Sequence, residues 1–156
     1  MPHRHSSPLH IPLWLVFAVL GVLTGLSAFT FVYARGGSYF RDDPKACLNC
    51  HIMREQFDAW NRGSHHAVAT CNSCHTPHGL LGKYTIKAVN GWNHSVAFTS
   101  GNFPDPVRIR PFNRDIVLAN CVYCHRSVID RMARNAKGQQ ADCLHCHGNV
   151  GHPSRR

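Results

Sequence analysis

Cys47-Leu-Asn-Cys50-His51, Cys71-Asn-Ser-Cys74-His75, Cys121-Val-Tyr-Cys124-His125 and Cys143-Leu-His-Cys146-His147 are four copies of one pentapeptide, and together they use all eight cysteines of the chain. Two thiols at this spacing can add to the two vinyl groups of one haem, and the histidine that follows then lies under the ring with its imidazole aimed at the iron. Cys-x-x-Cys pairs can also build tetrahedral zinc sites, and eight cysteines in an exported chain could close four disulfides. Neither arrangement accounts for a histidine behind every second cysteine. The repeat therefore points to four covalently attached c-type haems, and so to electron transfer.

The rest of the composition agrees with a cofactor-filled interior. Of the 156 residues 44% are hydrophobic, but they are unevenly placed. Almost every residue from Leu9 to Tyr33 is apolar, whereas beyond Gly36 long aliphatic runs disappear. About 120 residues are left to fold with a thin aliphatic core, at a size where burial is already marginal. An all-α, loop-rich domain whose core is largely porphyrin is expected. Helical composition covers Arg54 to Arg62, Lys83 to Phe98 and Asp115 to Ala136. Gly101 to Pro111, with three prolines, reads as an extended connector that divides the haem motifs into two pairs.

Residues 1–10 form a short, polar, weakly basic tail. The 23 residues from Ile11 to Tyr33 carry no charge, and as a helix they would cross a hydrocarbon core of about 30 Å. Pro12 is expected in the first helical turn, where proline is tolerated. A secretory signal would have an apolar stretch of only about 7–15 residues, so an uncleaved transmembrane anchor is the better reading. Arg4 on one side against Arg35 and Arg41 on the other leaves the charge rule for orientation ambiguous. Covalent haem attachment takes place outside the cytoplasm, which puts residues 36–156 in the periplasm and the tail in the cytoplasm. Gly21 and Gly25 form a Gly-x-x-x-Gly that permits self-association through a second helix. The first haem motif begins fourteen residues past Tyr33, a tether that reaches at most about 50 Å.

The formal net charge of +9 would ordinarily suggest nucleic acid or anionic lipid as a partner. Each haem brings two propionates, however, so four bring up to eight carboxylates that the basic residues counter. No nucleic-acid-binding motif accompanies the charge, and nucleic acid is set aside as a partner.

Four haems ask for up to eight axial ligands. His51, His75, His125 and His147 stand in the motifs, and His65, His66, His78, His94, His145 and His152 are left for opposite faces, enough for several bis-histidine haems. His3, His5 and His10 lie across the membrane. Met53 follows His51 at a spacing that also lets a thioether reach the first iron, or it is a packing residue.

As a set, these features resemble the NapC/NirT family of membrane-anchored tetrahaem quinol dehydrogenases. Within it they are most similar to the small subunits of cytochrome c nitrite reductase. The likeness rests on the single anchor, Asp43-Pro44-Lys45-Ala46-Cys47, the Cys-His-x-Met of motif one, Trp60 to Ser64-His65, Thr70-Cys71 to Pro77-His78-Gly79, and the Cys-His-x-x-x-x-His that ends at His152. It implies that Met53 replaces His51 on the first iron and leaves the other face open beside a quinol site. It implies further that His75 and His125 hold haems two and three, with His152 and His65 as their distal partners. His147 would hold haem four, whose opposite ligand comes from the catalytic subunit of the nitrite reductase. The implied function is oxidation of menaquinol, or another quinol, at the cytoplasmic membrane, with electrons passed to that catalytic subunit. Nitrate or N-oxide reductases as acceptors, and a free-standing electron-storage cytochrome, are the alternatives.

Lys83, Lys87, Asn90 and His94 recur at steps of four, three and four, which places them on one helix face. A solvated polar stripe would look the same. In a quinol-oxidising protein these groups are candidates for binding the hydroxyls and accepting protons. The resemblance implies a lysine and an acidic residue in this region, but the chain has no acid between His75 and Ser100. His94 is the expected proton acceptor because imidazole titrates near physiological pH.

Overall fold

A computed structural model of the chain describes residues 11–130 and 142–152. Helices and 3-10 turns make up its regular structure, with no strand among the described residues, in line with the all-α expectation. The chain divides into one unit ending at Phe40 and another beginning at Arg41.

The first unit is built on α1, Leu13–Tyr33, whose 21 residues span about 30 Å at 1.5 Å per residue. It is long and apolar enough to cross a membrane, and none of its residues is buried. Pro12 is the N-cap of α1 rather than part of its first turn; its extended backbone (ψ 134°) leaves its carbonyl free to accept from the Leu15 N–H at 2.9 Å. At the far end Arg35 takes a left-handed conformation (φ 52°), and the next residue has to be small, because a Cβ on Gly36 would strike the Phe31 ring. Gly21 and Gly25 share a face of α1, with nothing within 4 Å of where a Cβ would stand.

The second unit is a series of helices, two of them long, that carry or link the cysteine motifs. They are α2 (Arg54–Asn61), α3 (Cys71–His75), α4 (Leu80–Ser100), α5 (Pro111–Ile129) and α6 (Cys143–Cys146). Single 3-10 stretches cover Pro44–Asn49, His51–Met53 and Ser64–Ala67. The segments expected at 54–62 and 83–98 appear as α2 and α4. The third helix starts at Pro111 instead of Asp115, since a proline in the first helical position loses no hydrogen bond and Pro111 occupies it. Expected helix beyond residue 130 lies outside the described residues. Gly101, in a left-handed conformation (φ 67°), closes α4 and opens the connector.

Among the described residues no hydrophobic side chain is buried; Thr76 and Asn120 are the two buried polar ones. Local caps and a few polar cross-links therefore carry the architecture of the polypeptide. Asp43 accepts from the Lys45 N–H at 2.9 Å ahead of motif one. Thr70 and Ser73 form a reciprocal capping box that starts α3 at Cys71, and Asp142 accepts from the Leu144 N–H at 3.1 Å to start α6. Each cap satisfies an orphan N–H of a helical turn. The turn then sets the two cysteines three residues apart on one face, with the histidine one residue further.

Candidate redox site

The motifs are held in chain order, each against the next. The Cys71 thiol hydrogen-bonds the Cys47 thiol, which draws Cys47 down to about 7 and pushes Cys71 up. Burial raises Cys74, and Cys121 and Cys124 beside it raise it further. Burial likewise raises Cys121, with Cys143 as the next cause. Motif one thus meets motif two through Cys47 and Cys71, while α3 of motif two packs against α5 of motif three and α5 against α6 of motif four.

Asn120 pins the second junction. Its Nδ2 donates to the carbonyls of Cys74 at 2.8 Å and Thr76 at 2.9 Å, so the residue ahead of Cys121 brackets His75. Two carbonyl acceptors require an NH2 group, and at 6% exposure no water replaces it. Asn120→Ala should cost roughly 2–4 kcal/mol by leaving two buried carbonyls unpaired, lowering the melting temperature by about 10 °C. Asn120→Asp, of the same shape, should be no better, because a carboxylate repels both carbonyls. Calorimetry of the holo-protein checks both. Further links come from the reciprocal amide pair Asn90–Asn113, at 3.1 and 3.0 Å between α4 and α5, and from the Arg114–Asp142 ion pair between α5 and α6.

The structure sorts the spare imidazoles. His75 and His152 lie parallel, with ring centroids 6.0 Å apart and planes 7° from each other. His65 faces His125 with centroids 6.1 Å apart and planes inclined by 69°, at the point where His125 breaks the helical backbone of α5. His66 instead packs edge-on against Trp60 at 4.9 Å, and His78 stacks on Tyr123 at 4.0 Å. Trp60 is itself fixed by donating Nε1–H to the Ala69 carbonyl at 3.0 Å. In motif one His51 is exposed and Met53 half-buried, the latter at the N-cap of α2. His147 is exposed at the end of α6.

On α4, Lys83 and Lys87 are the most enclosed part of the polar stripe, with side chains 19% and 13% exposed. Both turn to a residue absent from the sequence reading, Asp42. Lys83 Nζ donates to Asp42 Oδ2. Lys87 Nζ reaches Asp42 Oδ1 at 3.3 Å and the Arg41 carbonyl at 2.9 Å, and Asn72 Nδ2 donates to Asp42 Oδ1 at 2.9 Å. Lys83, then Lys87 and Asn72, hold the Asp42 carboxyl below its usual range. A cleft of about 140 Å³ opens beside Asp42 and Lys83, lined further by Asn72, Ser73, Thr76 and His78. His94 lies two turns beyond Lys87 on α4 and is exposed. Packing against the protein disfavours its imidazolium, with Arg110 as the second cause. No local pattern signals Asp42 or Asn120, because their partners lie 30 or more residues away in sequence.

The model of the NapC/NirT cytochrome c family, N-terminal region, matches residues 8–156. The chain belongs to the NapC/NirT cytochrome c family. It is 37% identical over 145 residues to the cytochrome c-type protein NrfH of Wolinella succinogenes, covering 86% of this chain and 82% of that one. To the cytochrome c nitrite reductase subunit NrfH of Nitratidesulfovibrio vulgaris it is 32% identical over 148 residues, covering 94% of this chain and 87% of the relative. A crystal structure of the cytochrome c nitrite reductase NrfHA complex bound to the HQNO inhibitor contains a similar chain, with a TM-score of 0.60, 32% identity and 89% of each chain covered.

As a NapC/NirT cytochrome the chain carries covalently bound haem c and is membrane-anchored, with α1 as the apolar helix. The donor set fits that group. An imidazole–metal bond of about 2 Å on each side, plus the nitrogen-to-centroid distance of roughly 1 Å, puts two rings that share one metal about 6 Å apart. Burial, then His152, pushes His75 down to about 4, so its ring is neutral and has a lone pair to give at neutral pH. His152 keeps a buried Nδ1 with no hydrogen-bond partner. No three His, Cys, Asp or Glu side chains converge as a metal site among the described residues, and none of the eight cysteines is in a disulfide.

Proposed function

We propose that this chain is the membrane-anchored tetrahaem subunit that oxidises menaquinol and passes the electrons to the catalytic subunit of a periplasmic cytochrome c nitrite reductase. The similarity to the NrfH proteins supports that role, and so does the NrfHA complex among related structures. The observation that carries it is the serial packing of the motif-bearing segments, with Cys71 hydrogen-bonded to Cys47, α3 against α5 and α5 against α6. Such a series suits stepwise transfer between a donor site at motif one and an acceptor at motif four.

In this reading each Cys-x-x-Cys-His holds one haem c, which supplies one-electron redox chemistry when bound. His75 with His152, and His125 with His65, hold two irons from both faces. Met53 and His51 are the candidate ligands at motif one, with Met53 taken as the ligand, and His147 serves motif four. Lys83 and Lys87 bind the quinol hydroxyls, and His94 lies on the same face to carry protons away. Residues 11–33 anchor the chain in the cytoplasmic membrane, residues 1–10 face the cytoplasm, and 36–156 form the periplasmic domain.

Gentle detergent extraction should bring this chain out of membranes already washed with salt, since salt screens surface charge but not apolar insertion. A larger multihaem cytochrome that reduces nitrite should accompany it. Co-purification with a nitrate or N-oxide reductase instead, or recovery of the chain alone in the soluble fraction, would sink this assignment.

A further inference from the structure

Asp42 stands just ahead of motif one, nine residues beyond Tyr33. The α4 face has no acid of its own, since the chain has none between His75 and Ser100. The fold supplies one from elsewhere. Asp42 crosses to α4, 41 residues away in sequence from Lys83 and 45 from Lys87, and Asn72 from α3 gives it a third donor at 2.9 Å. Three donors on one carboxylate, two of them cationic and nearly enclosed, are more than an isolated surface ion pair, which by itself would mean little.

The surroundings suit a ring with hydroxyl groups. The cleft at Asp42 and Lys83 has a volume of about 140 Å³ and opens to the surface, so it can take the hydroxyl-bearing edge of a ring. Its walls are polar, with Thr76, Ser73 and Asn72 beside the two charges. Half of the Asp42 side chain, 47%, remains exposed, so the carboxylate keeps acceptor capacity for a ligand after its protein partners are served. The cleft residues Thr70, Asn72 and Ser73 flank Cys71, which is hydrogen-bonded to Cys47 of motif one.

We propose that Asp42 is the carboxylate of the quinol site, binding one hydroxyl of the quinol head in the cleft and taking its proton, with Lys83 beside it in the cleft steadying the charge on the oxygen and Lys87 holding the carboxylate in place. This inference rests on the quinol-oxidising role proposed above. Oxidation of one quinol to quinone breaks two O–H bonds and releases two protons and two electrons. The proton of the hydroxyl nearest Asp42 goes to the carboxylate and on to water and the other goes to water, while the two electrons would leave singly to the haem c that the Cys47–Cys50–His51 motif would hold. Loss of an electron makes the hydroxyl far more acidic, so a carboxylate kept ionised by two ammonium groups can still accept from it.

The test uses the intact haem-loaded complex in detergent, with HQNO and a soluble menaquinol analogue as probes. Asp42→Asn is expected to raise the HQNO Kd and the quinol KM at least tenfold and to lower kcat. All haem spectra and reduction by dithionite should stay unchanged, and Asp42→Glu should recover most of the wild-type behaviour. If Asp42→Asn binds HQNO and turns over quinol within twofold of wild type while Lys87→Leu loses both, the quinol site stands and Asp42 is no part of it. If both variants behave as wild type, the α4 face is not the quinol site and both inferences fall. A changed haem spectrum or haem content in Asp42→Asn would make the residue a structural support and overturn its role at the quinol.

Discussion

Replacing both Cys71 and Cys74 by serine is expected to remove one haem and, with it, the folded unit that begins at Arg41. The expectation follows from the packing. Among the described residues not one hydrophobic side chain is buried, so the polypeptide has almost no apolar burial of its own to set against the entropy of ordering the chain. Even deleting a single buried aromatic ring costs about 3–5 kcal/mol, and a whole domain has only about 5–15 kcal/mol in hand. Motif two is also the junction of the series, since Cys71 touches Cys47 and Asn120 fastens Cys74 and Thr76 to α5. The loss should therefore spread to motifs one and three. Intact mass should show one haem fewer than wild type in whatever survives, and limited proteolysis should degrade the domain under conditions that spare the wild type. A stable, protease-resistant domain lacking only that haem would show that the protein has a core independent of its cofactors.

The second large effect is expected at Lys87. Its ammonium is nearly enclosed, at 13% exposure, lies 5.7 Å from the centre of the Tyr84 ring, and is aimed by Asp42 and the Arg41 carbonyl. A preorganised donor of this kind stabilises the charge that develops on an oxygen as its proton leaves. Removing one typically lowers a rate by about 10²–10³-fold. Lys87→Leu should slow quinol oxidation by at least tenfold while dithionite reduces every haem as before, because the chemical reductant bypasses the quinol site. Met53→Leu should do the reverse, shifting the spectrum and potential of a single haem, since a thioether ligand raises the potential relative to bis-histidine ligation. Visible spectra, redox titration and quinol-driven turnover, measured on the same preparations, separate the two roles. An unaltered haem spectrum in Met53→Leu would assign His51 as the ligand, and normal quinol turnover in Lys87→Leu would place the quinol elsewhere.

The sequence by itself determined everything that depends on neighbours in the chain. Cysteines three residues apart with a histidine next in line define an attachment site wherever the fold places them, so the haem motifs were legible from Cys47 to His147. The uncharged stretch that became α1 was legible because a membrane-crossing helix answers to length and polarity alone, and α2 and α4 because their composition favours helix over a sufficient run. Even the stripe of Lys83, Lys87 and His94 followed from helical periodicity.

Tertiary structure alone decided which groups meet. Six histidines were available to face the motif irons, and spacing alone does not separate His152 and His65 from His66 and His78; only the family resemblance singled them out beforehand. The fold brings the first two to about 6 Å from motif histidines and commits the others to Trp60 and Tyr123. Asp42 was invisible for the same reason. A carboxylate beside Asp43 reads as one more polar residue ahead of a cap, until chain reversal carries α4 back to it and two lysines converge on its oxygens. The buried amide of Asn120 likewise acquires its meaning from carbonyls 44 and 46 residues away. Covalent and helical spacings are written in the order of residues, whereas contacts across the fold depend on how the whole chain closes around its cofactors.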